Sequence, residues 1–112
     1  YKHYSPNAEV FVVDADTESF RRYVNDAAAK SGASKTAALV FDGEDGGFVC
    51  KTLSFGEKDD DCAHAHKLFA ALRECDDLGF SSVYVHCPSY DGVGLAVMNR
   101  LLRAADFKVI KL

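Results

Sequence analysis

The residues that could do chemistry with a phosphate group lie in the segment CPSYDGVGLA, residues 87–96. Gly92, Val93 and Gly94 form a short glycine-containing turn just before a predicted helix. Glycines in that place let backbone N–H groups approach a phosphate at the positive end of a helix, so nucleotide or anion binding is one interpretation. The alternative is a plain tight turn. It is favoured because Gly-Val-Gly is only a fragment of the dinucleotide fingerprint and does not follow the first predicted strand.

Metal binding is a second chemical possibility. Cys62 and His66 are four residues apart on a predicted helix and could share one face, but no third or fourth ligand accompanies them. His64 is expected to point elsewhere, as a partly exposed residue near the helix start. The acidic run 59–61 could offer oxygens to a hard cation, although consecutive residues rarely converge on one ion and a solvated loop before a helix is favoured. We therefore predict no metal site.

The chain has four cysteines, Cys50, Cys62, Cys75 and Cys87. Structural zinc sites begin with much closer pairs, so this spacing predicts reduced thiols that pack as small apolar side chains. No serine, cysteine or threonine has the sequence partners that an activated nucleophile needs. His86 lies inside a predicted strand and is interpreted as a packed or strand-end residue instead of a base. The sequence accordingly predicts no catalytic residue in this chain.

Short apolar runs bounded by turn residues predict strands. The runs are Ala8–Val13, Lys35–Phe41, Phe48–Phe55, Ser82–Cys87 and Lys108–Leu112. The third run alternates only partly, which suits a strand near the sheet edge. Residues 42–47, DGEDGG, are predicted to form a turn because several of them tolerate positive φ.

Helical periodicity fills the gaps between these runs. The first helix is predicted to begin near Thr17, where Asp14 and Asp16 offer capping oxygens, and to stop at Ser31-Gly32. The other two are predicted over 62–75 and 95–105. Their core-facing residues are predicted to be Ala65, Leu68, Phe69, Leu72 and Cys75 in the second helix, and Leu95, Met98, Leu101, Leu102 and Ala105 in the third. The order of elements predicts a three-layer α/β/α, Rossmann-like domain of about five mainly parallel strands and three helices.

Composition limits the function classes. The 112 residues carry a net charge of −4 and a pI near 5.5, which argues against direct nucleic-acid binding. No apolar run is long enough for a membrane span, and the polar first residues do not form a signal peptide, so a cytoplasmic protein is expected. We divide the chain into the end of a linker, 1–7, and one domain, 8–112. The absence of an initial methionine hints at a fragment of a longer protein.

Two stretches resemble the two-domain threonylcarbamoyl-AMP synthases. The first is YKHYSP, residues 1–6, which looks like the linker signature that follows the catalytic domain in that family. The second is KLFAALRECDDLGFSSVYVHCPSYDGVGLAVMNRLLRAA, residues 67–105, which is similar to the family's C-terminal domain in the kind and order of its segments. Together they cover a little under half of the chain.

The resemblance implies a function for the parent protein that composition and periodicity do not show. A YrdC-like catalytic domain of the same polypeptide would be the partner, and it would make threonylcarbamoyl-AMP from L-threonine, bicarbonate and ATP for tRNA modification. ATP and Mg²⁺ are expected for that parent enzyme, a nucleotidyltransferase, and no cofactor is expected in this chain. The present domain would be accessory and regulatory, with its linker covering the active site. The rival interpretation is a stand-alone nucleotide- or anion-binding module.

The family's pattern also implies roles for particular residues. The linker positions that would contact the catalytic cleft are Tyr1, His3, Tyr4 and Pro6. Lys2 stands where many members carry arginine, and this departure loses the two-pronged contact to phosphate. The polar helix positions that match the family, and that we predict to make domain contacts, are Arg73, Asp76, Asn99 and Arg100. For these four a purely structural role, such as pairing at helical spacing, stays open.

Overall fold

The computed structural model describes residues 7–88 and 93–112. The strands are β1 (Glu9–Asp14), β2 (Thr36–Val40), β3 (Lys51–Ser54), β4 (Ser82–His86) and β5 (Val109–Lys111). The helices are α1 (Thr17–Ser31), α2 (Asp61–Leu78) and α3 (Val93–Ala104), with a 3-10 turn at Ala33–Lys35. None of the helices in these ranges has the length and apolarity that a bilayer crossing needs.

The five strands form one sheet in the order β3-β2-β4-β1-β5. The prediction of a mainly parallel sheet is confirmed, and all four strand pairs of the described residues are in fact parallel. β3 lies at one edge, as its weak alternation predicted. The central strands are buried on both faces, which explains why β2 and β4 read as nearly continuous apolar runs.

The helices cover the two faces of the sheet. On one face, α1 buries Phe20 and Val24 against Val13 and Tyr84. On the other face, α2 and α3 pack side by side over alternate strand residues such as Val12. The predicted three-layer α/β/α arrangement is therefore confirmed.

The connection between β2 and β3, residues 41–50, crosses the sheet without a helix. It lies on α1, where Arg21 Nε donates a hydrogen bond to the Gly46 carbonyl (2.8 Å). The side chain of Asn25 donates to the Gly47 carbonyl (2.9 Å) and accepts from the Val49 amide (2.9 Å). The prediction of a strand beginning at residue 48 was wrong, because residues 48–50 belong to this crossover. The apolar side chain of Phe48 packs on α1 instead, edge-to-face against Phe20 with ring centroids 5.8 Å apart.

The ends of α1 follow the predicted capping chemistry, with Asp16 and not Asp14 as the N-cap. Asp16 caps α1 by accepting from the Ser19 amide (2.7 Å), and Gly32 at φ 100° ends it. Asp60 caps α2 by accepting from the Ala63 amide (3.0 Å), so one aspartate of the acidic run starts the helix. The prediction for His64 was wrong: its side chain is fully buried, because the α2 stripe that faces the sheet begins one residue earlier than Ala65.

The third helix is also shifted from its prediction. It begins at Val93 instead of Leu95, and its buried face is formed by Val97, Met98, Leu101 and, just beyond the helix, Ala105. Leu95 was predicted to enter the core but is 49% exposed.

Candidate functional site

The carboxyl edge of the sheet is the place where an α/β fold of this kind binds ligands. After β1 the chain continues into α1 on one face, whereas after β4 it continues into α3 on the other face. β1 and β4 are neighbours, so this divergence opens a cleft between them. Its volume is about 620 Å³, and it is lined by Asp14, Ala15, Asp16, Thr17, Glu18, Phe41, Lys58, His86 and Cys87.

His86 closes the floor of this cleft at the end of β4. Its Nδ1 lies 2.9 Å from a carboxylate oxygen of Glu44, and its Nε2 lies 2.7 Å from the backbone carbonyl of Ala15. The ring is buried and stacks on Phe20, with centroids 4.6 Å apart. Because both ring nitrogens face acceptor oxygens, only the doubly protonated imidazolium can donate to both.

Glu44 connects several parts of the carboxyl edge through hydrogen bonds to its side chain. It comes from the β2–β3 crossover, and besides His86 it accepts from the Thr17 hydroxyl at the start of α1 and from the Phe41 amide (2.8 Å) after β2. Burial by itself raises the pKa of Glu44, but the hydrogen bonds from His86, Thr17 and Phe41 outweigh it and hold the pKa below its ordinary value. One carboxylate thus joins the chain at the ends of three neighbouring strands, β2, β4 and β1.

This network does not resemble acid–base machinery. A general base needs a lone pair aimed at the substrate, whereas both nitrogens of His86 are already occupied within the domain. A carboxylate whose pKa is lowered is a weak base, so Glu44 does not activate the Thr17 hydroxyl as a nucleophile. The hydrogen bonds of His86 and Glu44 hold the side chains at the floor of the cleft in place, so ligand recognition would depend on the residues on its rim.

The rim is predominantly acidic. Asp14 ends β1, Asp16 caps α1 and Glu18 follows in the first turn, whereas the cation on this rim is Lys58. The pKa of Asp16 is lowered, chiefly by the hydrogen bond from the Ser19 amide. An unshielded phosphate would be repelled by these carboxylates, and a cationic group or a metal-chelated anion suits them better.

Within ranges 7–88 and 93–112, no three histidine, cysteine or acidic side chains converge as a metal site would require. The described cysteines are free thiols, but the prediction that they all pack as apolar side chains is wrong for Cys62, which is exposed in the first turn of α2. Burial raises the pKa of Cys75 to about 12, with the neighbouring Glu74 and Asp76 adding to the effect. This thiol is therefore a packed apolar group.

Several residues predicted to bind or contact ligands fall outside the description. The linker residues Tyr1, His3, Tyr4 and Pro6, together with Gly92 of the glycine turn, belong to the segments 1–6 and 89–92, which are not described. Val93 and Gly94 form the beginning of α3, and Gly94 is buried. The predicted phosphate turn is thus located beside the carboxyl edge, and its ligand chemistry stays a prediction.

The polar helix residues have contacts within the domain. Asp76, near the end of α2, accepts from the backbone amides of Asn7 (3.2 Å) and Ala8 (3.1 Å). Arg100 lies over the Phe69 ring, with its guanidinium carbon 3.9 Å from the centroid. Arg73 and Asn99 are exposed on α2 and α3.

Sequence reasoning missed the network around Glu44. It treated residues 42–47 as a turn selected for positive φ, which is correct for Gly43 (88°) and Gly47 (83°), and gave no role to the acid between them. The available signal was positional, because Glu44 and His86 both follow strands of one parallel sheet and so reach the same edge.

The fold and the cleft define an α/β domain whose open site lies between β1 and β4, where the chain leaves the sheet on opposite faces. The described residues of this site do not form a set of catalytic groups. The family model for the C-terminal domain of threonylcarbamoyl-AMP synthase matches residues 1–106. The chain therefore belongs to this family, as the resemblance of its linker and helix segments indicated.

Individual relatives agree. The threonylcarbamoyl-AMP synthase of Pyrococcus abyssi is 32% identical over 116 residues, which cover 99% of this chain and 32% of that protein, and the one from Bacillus subtilis is 27% identical over 112 residues, with the same two coverages. Among solved structures, that of P. abyssi Sua5 complexed with L-threonine is similar with a TM-score of 0.75 and 30% sequence identity. The superposition covers 100% of the present chain and 32% of the P. abyssi chain. The isolated C-terminal Sua5 domain from Pyrococcus horikoshii has a TM-score of 0.70 at 28% identity, covering 96% of this chain and 100% of that one. The chain thus spans about a third of the length of its curated relatives.

Proposed function

We propose that this chain is the accessory domain of a threonylcarbamoyl-AMP synthase and that it works with a YrdC-like catalytic domain on the same polypeptide. The catalytic domain would condense L-threonine, bicarbonate and ATP with Mg²⁺, in the cytoplasm, to supply tRNA modification. The accessory domain would regulate this reaction by positioning the linker over the active site, where it excludes water and retains the reactive intermediate.

The observation that carries this proposal is the family match together with the fastening of the linker. Asp76 holds the amides of Asn7 and Ala8 with a single carboxylate, directly after the segment that resembles the family's linker. A fastened end limits the positions that residues 1–6 can reach, which is what a cover over an active site requires. The occupied nitrogens of His86 also support a non-catalytic role for this domain.

The proposal is tested by comparing the two-domain polypeptide with a version truncated before Tyr1. Formation of threonylcarbamoyl-AMP and its release into solution are measured separately, because loss of a cover should increase release and hydrolysis of the intermediate. A second version keeps the domain but replaces His3 and Tyr4 by alanine, and it should reproduce the leak. Normal rate and normal retention in the truncated protein would contradict the proposal.

A second candidate function, binding of a small ligand by the domain itself, is favoured by the cleft at the carboxyl edge. Its acidic rim predicts that ATP binds only when Mg²⁺ shields the phosphates. The test is an NMR titration with ATP, with and without Mg²⁺, that follows the backbone amides of residues 14–18, 86 and 87. Saturable shifts that require Mg²⁺ would support nucleotide sensing, and unchanged spectra at millimolar ATP would exclude it.

A further inference from the structure

The amino edge of the sheet, opposite the cleft, exposes two large apolar side chains. Leu78 is the last residue of α2 and is 56% exposed, and Phe107 follows α3 and is 67% exposed. Both helices run back from the carboxyl edge and pack side by side on the same face, so their last residues reach the same end of the same layer. Neighbouring helix axes are about 10 Å apart, which brings Leu78 and Phe107 within the footprint of one partner. We call these two residues the amino-edge pair.

Phe107 occupies this place at a conformational cost. Its φ is 59°, in the left-handed region, and the preceding Asp106 also has a positive φ of 52°. The backbone holds this turn through the Phe107 amide, which donates to the Leu102 carbonyl (2.7 Å). A non-glycine residue is strained in this region, and a mostly exposed phenylalanine compensates for little of that strain by packing within the domain.

The chain enters the domain at the same edge. Asp76, which holds Asn7 and Ala8, lies two residues before Leu78 on α2. The Glu9 amide donates to the Ser81 carbonyl (2.9 Å), which places the start of β1 directly beside the segment that follows α2. The chain therefore enters the described domain next to the amino-edge pair, so a domain joined through the linker would be tethered at this edge.

Other exposed large apolar residues lack this combination. Val49 is 59% exposed but lies in the crossover on α1, across the sheet from α2 and α3. Leu95 and Leu112 are 49% and 59% exposed, but both lie at the carboxyl edge, away from the fastened linker. They make a matched control, because their size, exposure and number resemble those of the amino-edge pair.

We propose that the amino-edge pair is the docking surface for the catalytic domain of the same polypeptide. Exposed Asp77 and Asp106 each precede one member of the pair, so the complementary face should combine an apolar recess with basic residues around it. This inference rests on the proposed function, since it takes the catalytic domain as the partner. It adds the surface by which the accessory domain is held in place.

The test is hydrogen–deuterium exchange on the two-domain polypeptide and on the present chain alone. The backbone of 74–81 and 103–109 should exchange at least about tenfold more slowly in the two-domain protein, whereas that of 93–97 and 110–112 should be unchanged. Phe107→Asp and Leu78→Asp should each return exchange at 74–81 and 103–109 to the rate of the chain alone. Leu95→Asp and Leu112→Asp should leave the protection intact, and thermal melts of all four variants show that they are folded.

The outcomes separate this inference from the function on which it rests. A two-domain protein that makes threonylcarbamoyl-AMP but shows no protection at the amino edge, or shows it at the carboxyl edge, would overturn the docking surface alone. A two-domain protein that makes no threonylcarbamoyl-AMP overturns the proposed function, whatever its exchange pattern.

Discussion

The two edges of this sheet use polar and apolar residues in opposite ways. At the carboxyl edge the network of buried His86 with the partly buried Glu44 and Thr17 satisfies its own hydrogen bonds and leaves an open, acidic cleft above it. At the amino edge one carboxylate, Asp76, reaches out to the incoming chain, and Leu78 and Phe107 stay exposed. The carboxyl edge is thus self-contained in its hydrogen bonds, whereas we infer that the amino edge, where the incoming chain is held beside two exposed apolar side chains, depends on a partner.

The largest expected effect concerns the carboxyl edge. Glu44→Ala removes the hydrogen-bond partner of His86, Thr17 and Phe41 and leaves their polar groups unsatisfied, which should cost about 3 kcal/mol of unfolding free energy. The melting temperature should fall by about 10–15 °C. Asp45→Ala, an exposed neighbour in the same loop, is the control and should change it little. Equal effects of the two substitutions would show that the network does not stabilise this edge.

The next effect is the dependence of that stabilisation on pH. The folded-state pKa of Glu44 lies below its ordinary value of 4.5, so folding favours the ionised form. Its contribution is therefore complete above the unfolded-state pKa and is lost as the pH falls through the folded-state pKa. Denaturant unfolding at several pH values from 7 to 3 should show the gap between the native chain and Glu44→Gln narrowing below pH about 4.5. A gap that widens on acidification would contradict the assigned direction.

A smaller effect is expected at the amino edge. Asp76→Ala should cost about 1 kcal/mol and should speed amide exchange at Asn7 and Ala8, because both donors lose their acceptor. Asp77→Ala, one position along the same helix and exposed, should leave these amides protected. Unchanged exchange in Asp76→Ala would remove the evidence that the linker is fastened there.

The smallest effect has the opposite sign. Phe107→Gly relieves the positive φ and removes a mostly exposed side chain, so the isolated chain should gain about 0.5 kcal/mol in unfolding free energy. The same substitution should weaken the protection of the amino edge in the two-domain protein. Denaturant unfolding of the isolated chain gives the first result. A loss of stability there would mean that Phe107 serves the domain itself.

Local chemistry made much of the fold predictable. Asp16, Asp60 and Gly32 act at helix ends because capping requires only a nearby side-chain oxygen or a residue that accepts positive φ. The buried strands were recognised because a parallel sheet covered on both faces leaves a continuous apolar run. These signals extend over a few residues, and the sequence displays them directly.

The site was less predictable because its parts are distant in the chain. Glu44 and His86 are 42 residues apart, and their pairing depends on a crossover that carries no helical or strand pattern. His64 was misplaced by one position around its helix, since a buried histidine breaks the apolar stripe that pattern reading follows. The resemblance to a family led to the proposed function. The distances between residues and their burial within this domain could not have indicated it.

The strand order also has a consequence for how the protein is made. β1 pairs only with β4 and β5, although β2 and β3 are synthesised long before them. A nascent chain that ends after β3 therefore has its first strand without a neighbour, and the sheet cannot close until residues 82–86 have left the ribosome. The domain should therefore fold late and nearly all at once.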